Sequence, residues 1–163
     1  MTRNVITISE NRTMKQASKL MYDDNIGSIV ILKEGGGYDR EGNVSGITSE
    51  KKEIPTGIVT ERDIARAVGF AAEYSTFGDI PLSEIMSKPL ITVRPSTTLK
   101  DAVVLMQQKD IRRVPVLDEN RQLVGIITDK DIINAIVKTF KKTIKDHGLM
   151  SEGFDLLRFL GAE

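Results

Sequence analysis

Gly57-Ile58-Val59-Thr60-Glu61-Arg62-Asp63-Ile64 and Gly125-Ile126-Ile127-Thr128-Asp129-Lys130-Asp131-Ile132 carry one pattern twice, 68 residues apart. In each, a glycine opens a β-branched run that ends at a Thr. An acid follows three residues later, at the head of an apolar-periodic stretch. This reads as a strand running directly into a helix.

A second match lies upstream of each block. Residues 6–32 align without gaps on residues 91–117, with nine identities: Ile6/Ile91, Thr7/Thr92, Thr13/Thr98, Lys15/Lys100, Ala17/Ala102, Leu20/Leu105, Met21/Met106, Ile26/Ile111 and Leu32/Leu117. The register shift between the two matches leaves 17 extra residues in the first copy. Two blocks repeated in the same order indicate an internal duplication. Each copy opens with a β-like segment, at residues 5–8 and 91–93. An amphipathic helix follows, with Met14, Ala17, Leu20 and Met21 on its apolar face in copy one. Leu99, Ala102, Val103, Leu105 and Met106 form that face in copy two. Two β-branched runs come next, at 28–32 and 56–59, then at 114–117 and 123–127. Asp118-Glu119-Asn120-Arg121 reads as the turn between the last pair. A helix from Thr60 or Thr128 closes each copy. The expected fold is mixed α/β, a tandem β-α-β-β-α repeat. A unit of about 60 residues is marginal alone, so the two copies are expected to pack sheet to sheet with pseudo-twofold symmetry. Two related clefts would then lie between them.

The Thr-x-x-Asp step supports two readings. It resembles a capping box, with the Thr oxygen taking a free backbone N–H and an acid at the positive helix end. The same geometry suits a ligand: a helix N-terminus attracts phosphate, the Thr hydroxyl can donate to it, and the carboxylate can accept from both hydroxyls of a ribose.

Composition narrows the classes. Lys plus Arg and Asp plus Glu are 23 each, so the net charge is zero, which argues against nucleic acid as partner. The absence of cysteine excludes disulfides, zinc ribbons and thiol catalysis and fits a cytoplasmic setting. No signal peptide or membrane-spanning run is read. The single histidine, His147, has no nucleophile-and-base pattern around it, and no phosphate loop is present. An enzyme is therefore not expected, nor is a metal or resident cofactor.

The duplicated order with Gly-Ile-Val-Thr-Glu-Arg-Asp-Ile and Gly-Ile-Ile-Thr-Asp-Lys-Asp-Ile resembles a CBS domain pair, or Bateman module. Leu82-Ser83-Glu84-Ile85-Met86-Ser87-Lys88-Pro89 is similar to the lead-in of such domains, and Arg112-Arg113-Val114-Pro115-Val116 to their second strand. The resemblance covers about residues 4–140. It implies a stand-alone regulatory module that binds AMP, ADP or ATP, forms a homodimer and acts on a separate protein target. It implies contacts to phosphate and ribose from Thr60 with Asp63 and from Thr128 with Asp131. It assigns the adenine pocket to Thr7 with Ile8 and to Thr92 with Val93, and the phosphate side to Ser28, Arg112 and Arg113, with Pro115 in the same strand. Thr7 and Thr92 could equally be plain β-formers, and either Arg a solvent-facing charge.

The domains are then 1–72 with an insertion at 33–54, a linker and lead-in helix at 73–89, 90–142, and a helical tail at 143–163. The glycine-rich insertion reads as a solvated hairpin loop. Tail residues Phe154, Leu157 and Leu160 have helical spacing and are expected to cover the core or meet a partner. Copy one has Gly27-Ser28 where copy two has Arg112-Arg113, and it lacks the short lead-in helix, so the clefts should be unequal. S-adenosylmethionine or nucleic acid as ligand, or a purely structural dimerisation unit, remain the alternatives.

Overall fold

The computed structural model describes residues 1–35, 52–70 and 78–146. The centre of the insertion, the first part of the loop at 75–81, His147 and tail residues 151–160 lie outside the described residues. The elements run β1 (Thr7–Ser9), α1 (Met14–Asp23), β2 (Ser28–Gly35), β3 (Lys52–Thr60), α2 (Glu61–Phe70), α3 (Leu82–Ile85), α4 (Leu99–Lys109), β4 (Arg113–Leu117), β5 (Leu123–Thr128) and α5 (Asp129–Asp146). The interleaved α/β order expected from the duplication is present. The chain divides into two compact units, Met1–Thr128 and Asp129–Glu163.

Within the first unit, β1 pairs parallel to β2, and β2 pairs antiparallel to β3. β4 pairs antiparallel to β5. The hairpin of copy one extends into the insertion, with Lys33 opposite Ile54, Glu34 opposite Glu53 and Gly35 opposite Lys52. So the ends of that segment are strand rather than loop. Ile29, Ile31 and Val59 pack with Ala17 and Met21 of α1 and Leu82 of α3. Val30, whose side chain leaves the opposite face of the strand, is also fully buried, as are Val114, Pro115 and Val116. Both central strands are therefore covered on both faces, which explains their unbroken apolar runs.

The duplication is legible in detail. Thr13 and Thr98 cap α1 and α4, each accepting a backbone N–H three residues on. Both helices end the same way. Asn25 and Asp110 take the left-handed conformation (φ 50 and 49°), and Ile26 and Ile111 N–H donate to Met21 and Met106 carbonyls at 3.0 Å. This is a paired Schellman ending, reached with the residues best able after glycine to adopt that backbone. The irregularity between Ile31 and Leu32 recurs between Val116 and Leu117.

The expected opening strand of copy two is the main departure. Only Val93 bridges to β4, donating to the Pro115 carbonyl (3.0 Å) and accepting from Leu117 N–H (2.9 Å). In copy one the ladder is longer: Val30 N–H reaches the Ile6 carbonyl and Glu10 N–H reaches the Leu32 carbonyl. At the equivalent positions copy two has Pro115 and Pro95, which have no N–H to give. Leu99, expected on the apolar face of its helix, is exposed at the first turn of α4.

Each copy's lead-in joins the sheet of the other copy. Ser87 pairs with Ile58 of β3 and Thr2 with Ile126 of β5, each through two reciprocal backbone hydrogen bonds. Met86 lies over Gly57, and Met1 lies over Gly125. Thr2 thus gives copy two the same strand pairing that Ser87 gives copy one. In the second unit, α5 buries Ile132 and exposes Ile133, Ile136 and Val137. Among the described residues no helix is long and apolar enough to cross a membrane.

Candidate functional site

Strand β3 delivers Thr60 to the edge of the first sheet, and α2 starts at the next residue. Thr60 N–H and its hydroxyl both donate to Asp63 Oδ2, at 2.8 and 2.7 Å, and Asp63 N–H donates back to Thr60 Oγ1 at 3.3 Å. Glu61 N–H donates to the Gly27 carbonyl at 3.3 Å. Two of the first three amides of α2, those of Glu61 and Asp63, are thereby satisfied within the protein. The capping reading of Thr60 therefore holds, and its hydroxyl is committed to the carboxylate. What the motif presents outward is the second oxygen of Asp63, 3.4 Å from Ser87 Oγ.

These groups line a cavity of about 260 Å³ with Ile58, Glu61, Arg62, Arg66, Asp110, Ile111, Arg112 and Arg113. It falls just below the usual range for small-molecule sites, about 300–1,000 Å³. Four guanidinium groups face three carboxylates. Arg113 donates from Nη1 to the Gly27 carbonyl at 2.7 Å, tying copy two to copy one. Arg62, Arg66 and Arg112 hold no hydrogen bond or ion pair among the described residues. Unpaired guanidinium groups converging on one cavity suit an anion, above all phosphate, which they can bind bidentately. Ile58 and Ile111 supply apolar walls. Among the described residues no cluster of His, Cys, Asp or Glu could hold a metal ion.

Of the sequence-derived site residues, Thr60, Asp63, Arg112 and Arg113 come together here. Thr7 and Ile8 sit in β1, paired with Val30 and Ile31, and Ser28 stands opposite Thr60 at the start of β2. None of the three is in the lining of this cavity. Pro115 is fully buried in β4. Thr92 and Val93 line a separate cavity of about 460 Å³ with Arg94, Thr97, Asp118 and Arg121. Thr128 ends β5 opposite Arg113, and Asp131 lies in the first turn of α5, in the second unit.

Ser87, Arg62, Arg66, Asp110, Ile58 and Ile111 were not singled out from sequence. Ser87 had a signal: Met86-Ser87 stands 85 residues after Met1-Thr2, the same spacing as the first repeat block. Arg66 lies three residues beyond Asp63 on the same helix face.

The CBS domain family matches residues 1–69 and 82–138. MJ1404 of Methanocaldococcus jannaschii is 38% identical over 167 residues, covering 94% of this chain, which spans only 35% of that relative's length. The CBS domain-containing protein YhcV of Bacillus subtilis is 34% identical over 132 residues, covering 81% of this chain and 79% of the relative. Among solved structures, the CBS domain pair of protein MJ0100, determined in complex with 5′-methylthioadenosine and S-adenosyl-L-methionine, is similar at TM-score 0.64 and 25% identity. It covers 85% of this chain and 93% of that one. With both repeats matched and the same architecture in a solved pair, the chain belongs to the CBS domain family and carries two of its domains.

Proposed function

We propose that this CBS pair is a regulatory module that binds an adenine nucleotide (AMP, ADP or ATP) at the Thr60–Asp63 cavity and passes the bound state to a protein target, without catalysis of its own. One observation carries the reading: a single cavity joins the outward carboxylate oxygen of Asp63, suited to a ribose hydroxyl, to three guanidinium groups that are unpaired among the described residues and suited to phosphate. The MJ0100 pair, with its adenosine-derived ligands, supports the adenosine part. It also favours S-adenosylmethionine as a second reading, but a sulfonium cation is disfavoured beside Arg62, Arg66 and Arg112.

Isothermal titration with ATP, ADP, AMP and S-adenosylmethionine tests this. Asp63→Ala is expected to lower nucleotide affinity about tenfold or more, the loss of a hydrogen bond to a charged acceptor. Asp131→Ala, outside the lining of this cavity, should cost less. Saturating nucleotide at 100 times Kd should stabilise the fold by about 2.7 kcal/mol. Absence of heat and of thermal shift with every adenine nucleotide at millimolar concentration overturns the reading.

The proposal includes a homodimer. The exposed Ile133, Ile136 and Val137 form an i, i+3, i+4 stripe on α5 that suits an isologous contact. Light scattering should give twice the chain mass, and Ile136→Asp should return it to the mass of one chain.

A further inference from the structure

Asp63 uses its two oxygens differently. Oδ2 is filled by the Thr60 N–H and hydroxyl. Among the described residues, Oδ1 is met only by the long 3.4 Å approach of Ser87 Oγ, well beyond the 2.7–2.8 Å usual between oxygens. A carboxylate oxygen can only accept, whereas a serine hydroxyl can both donate and accept. The two atoms therefore offer adjacent, complementary positions to two neighbouring hydroxyl groups: one donates to Asp63 Oδ1, and the other donates to or accepts from Ser87 Oγ.

Ser87 is well held for such a task. Its N–H donates to the Ile58 carbonyl at 2.9 Å, and its own carbonyl accepts from Ile58 N–H at 3.2 Å. Met86 packs over Gly57 one residue before it, at a spot with no room for a side chain. Ser87 itself is exposed, and its side chain lines the cavity. The backbone is fixed by main-chain bonds, and the hydroxyl, held by its long contact to Asp63 Oδ1, can turn to a ligand.

We infer that Ser87 is a specificity-determining residue of this site and forms with Asp63 a two-point clamp for a vicinal cis-diol, so that ribonucleotides are selected over their deoxy counterparts. The inference rests on the nucleotide reading above and adds a residue from the lead-in of the second repeat to a motif carried by the first.

The test is calorimetric titration of the whole chain with ATP, 2′-deoxy-ATP and 3′-deoxy-ATP, for the wild type, Ser87→Ala and Ser87→Thr. The wild type should prefer ATP over each deoxy analogue by about tenfold. In Ser87→Ala that preference should narrow severalfold for at least one analogue, while affinity for the same analogue stays near the wild-type value. Ser87→Thr, which keeps the hydroxyl, should restore it. Thermal melting of Ser87→Ala should match the wild type, because the strand bonds of residue 87 are made by its backbone. A ribo-to-deoxy ratio unchanged by Ser87→Ala, with ATP still bound, overturns the clamp and leaves the nucleotide reading standing. Failure of wild-type protein to bind ATP overturns both.

Discussion

Gly27 has no side chain because the space is taken. A Cβ there would stand 2.5 Å from Arg113 Nη2 and 2.7 Å from Glu61 Oε2. Its carbonyl accepts from both Arg113 Nη1 and Glu61 N–H. One backbone oxygen thus joins the start of β2, the N-terminus of α2 and the start of β4. Copy two has Arg112 at the equivalent position, so the asymmetry noted in the sequence has a structural meaning: the arginine of one copy needs the glycine of the other. Both obstructing atoms end flexible side chains, so Gly27→Ala should fold, but with Arg113 displaced. Gly27→Ala and Arg113→Ala are each expected to destabilise by about 1.5–3 kcal/mol, the range for a hydrogen bond with one charged partner. Since both remove the same bond, the double variant should fall short of additivity by about 1 kcal/mol. Urea unfolding of the four proteins measures this, and strict additivity would show that the bond contributes nothing to the fold.

At the scale of elements, the exchange of lead-ins holds the repeats to one another. Gly57, buried in β3, faces Met86 Sδ at 2.6 Å and the Ser87 carbonyl at 3.2 Å from the place of a Cβ. Gly57→Ala must push a thioether and crowd a paired backbone, an overpacking expected to cost about 1–3 kcal/mol. Thermal melting checks the magnitude. Adding Met86→Ala should recover part of the loss, since it removes the bulkier obstacle; a larger loss in the double variant would show that Met86 contributes more by packing than it obstructs. The same elements show where sequence reasoning stopped. Periodicity placed α1, α4 and both hairpins, because their apolar spacing is local information. It overestimated the opening strand of copy two, where Pro95 and Pro115 remove donors that only matter once the pairing partner is known. It underestimated β2 and β3, whose outer ends, Lys33–Gly35 and Lys52–Ile54, are too polar and glycine-rich to read as strand.

At the scale of the whole chain, the Thr-x-x-Asp motif was legible because duplication marks it twice. Its partners were harder to find: Asp110 and Ser87 reach the cavity from other segments, and Arg66, though one turn beyond Asp63 on α2, shows its role only once the cavity is seen. Charge behaves likewise. The chain carries 23 basic and 23 acidic residues, so no net field draws an anion from a distance. A local excess stands in the cavity, where Arg62, Arg66, Arg112 and Arg113 outnumber Glu61, Asp63 and Asp110. Arg62, Arg66 and Arg112 are exposed, and the amides of Glu61 and Asp63 are already spent on Gly27 and Thr60. At the proposed site, phosphate attraction is therefore expected to come mainly from exposed side-chain charge, which salt screens, rather than from buried backbone dipoles, which it screens much less. Raising ionic strength from 0.1 to 1 M shortens the Debye length from about 10 to about 3 Å. ATP affinity should fall about tenfold over that range, AMP affinity less, and adenosine affinity little, in titrations at constant pH. If ATP binding instead holds constant with salt, the guanidinium groups are not its phosphate partners, and the anion must sit on backbone N–H groups elsewhere in the fold.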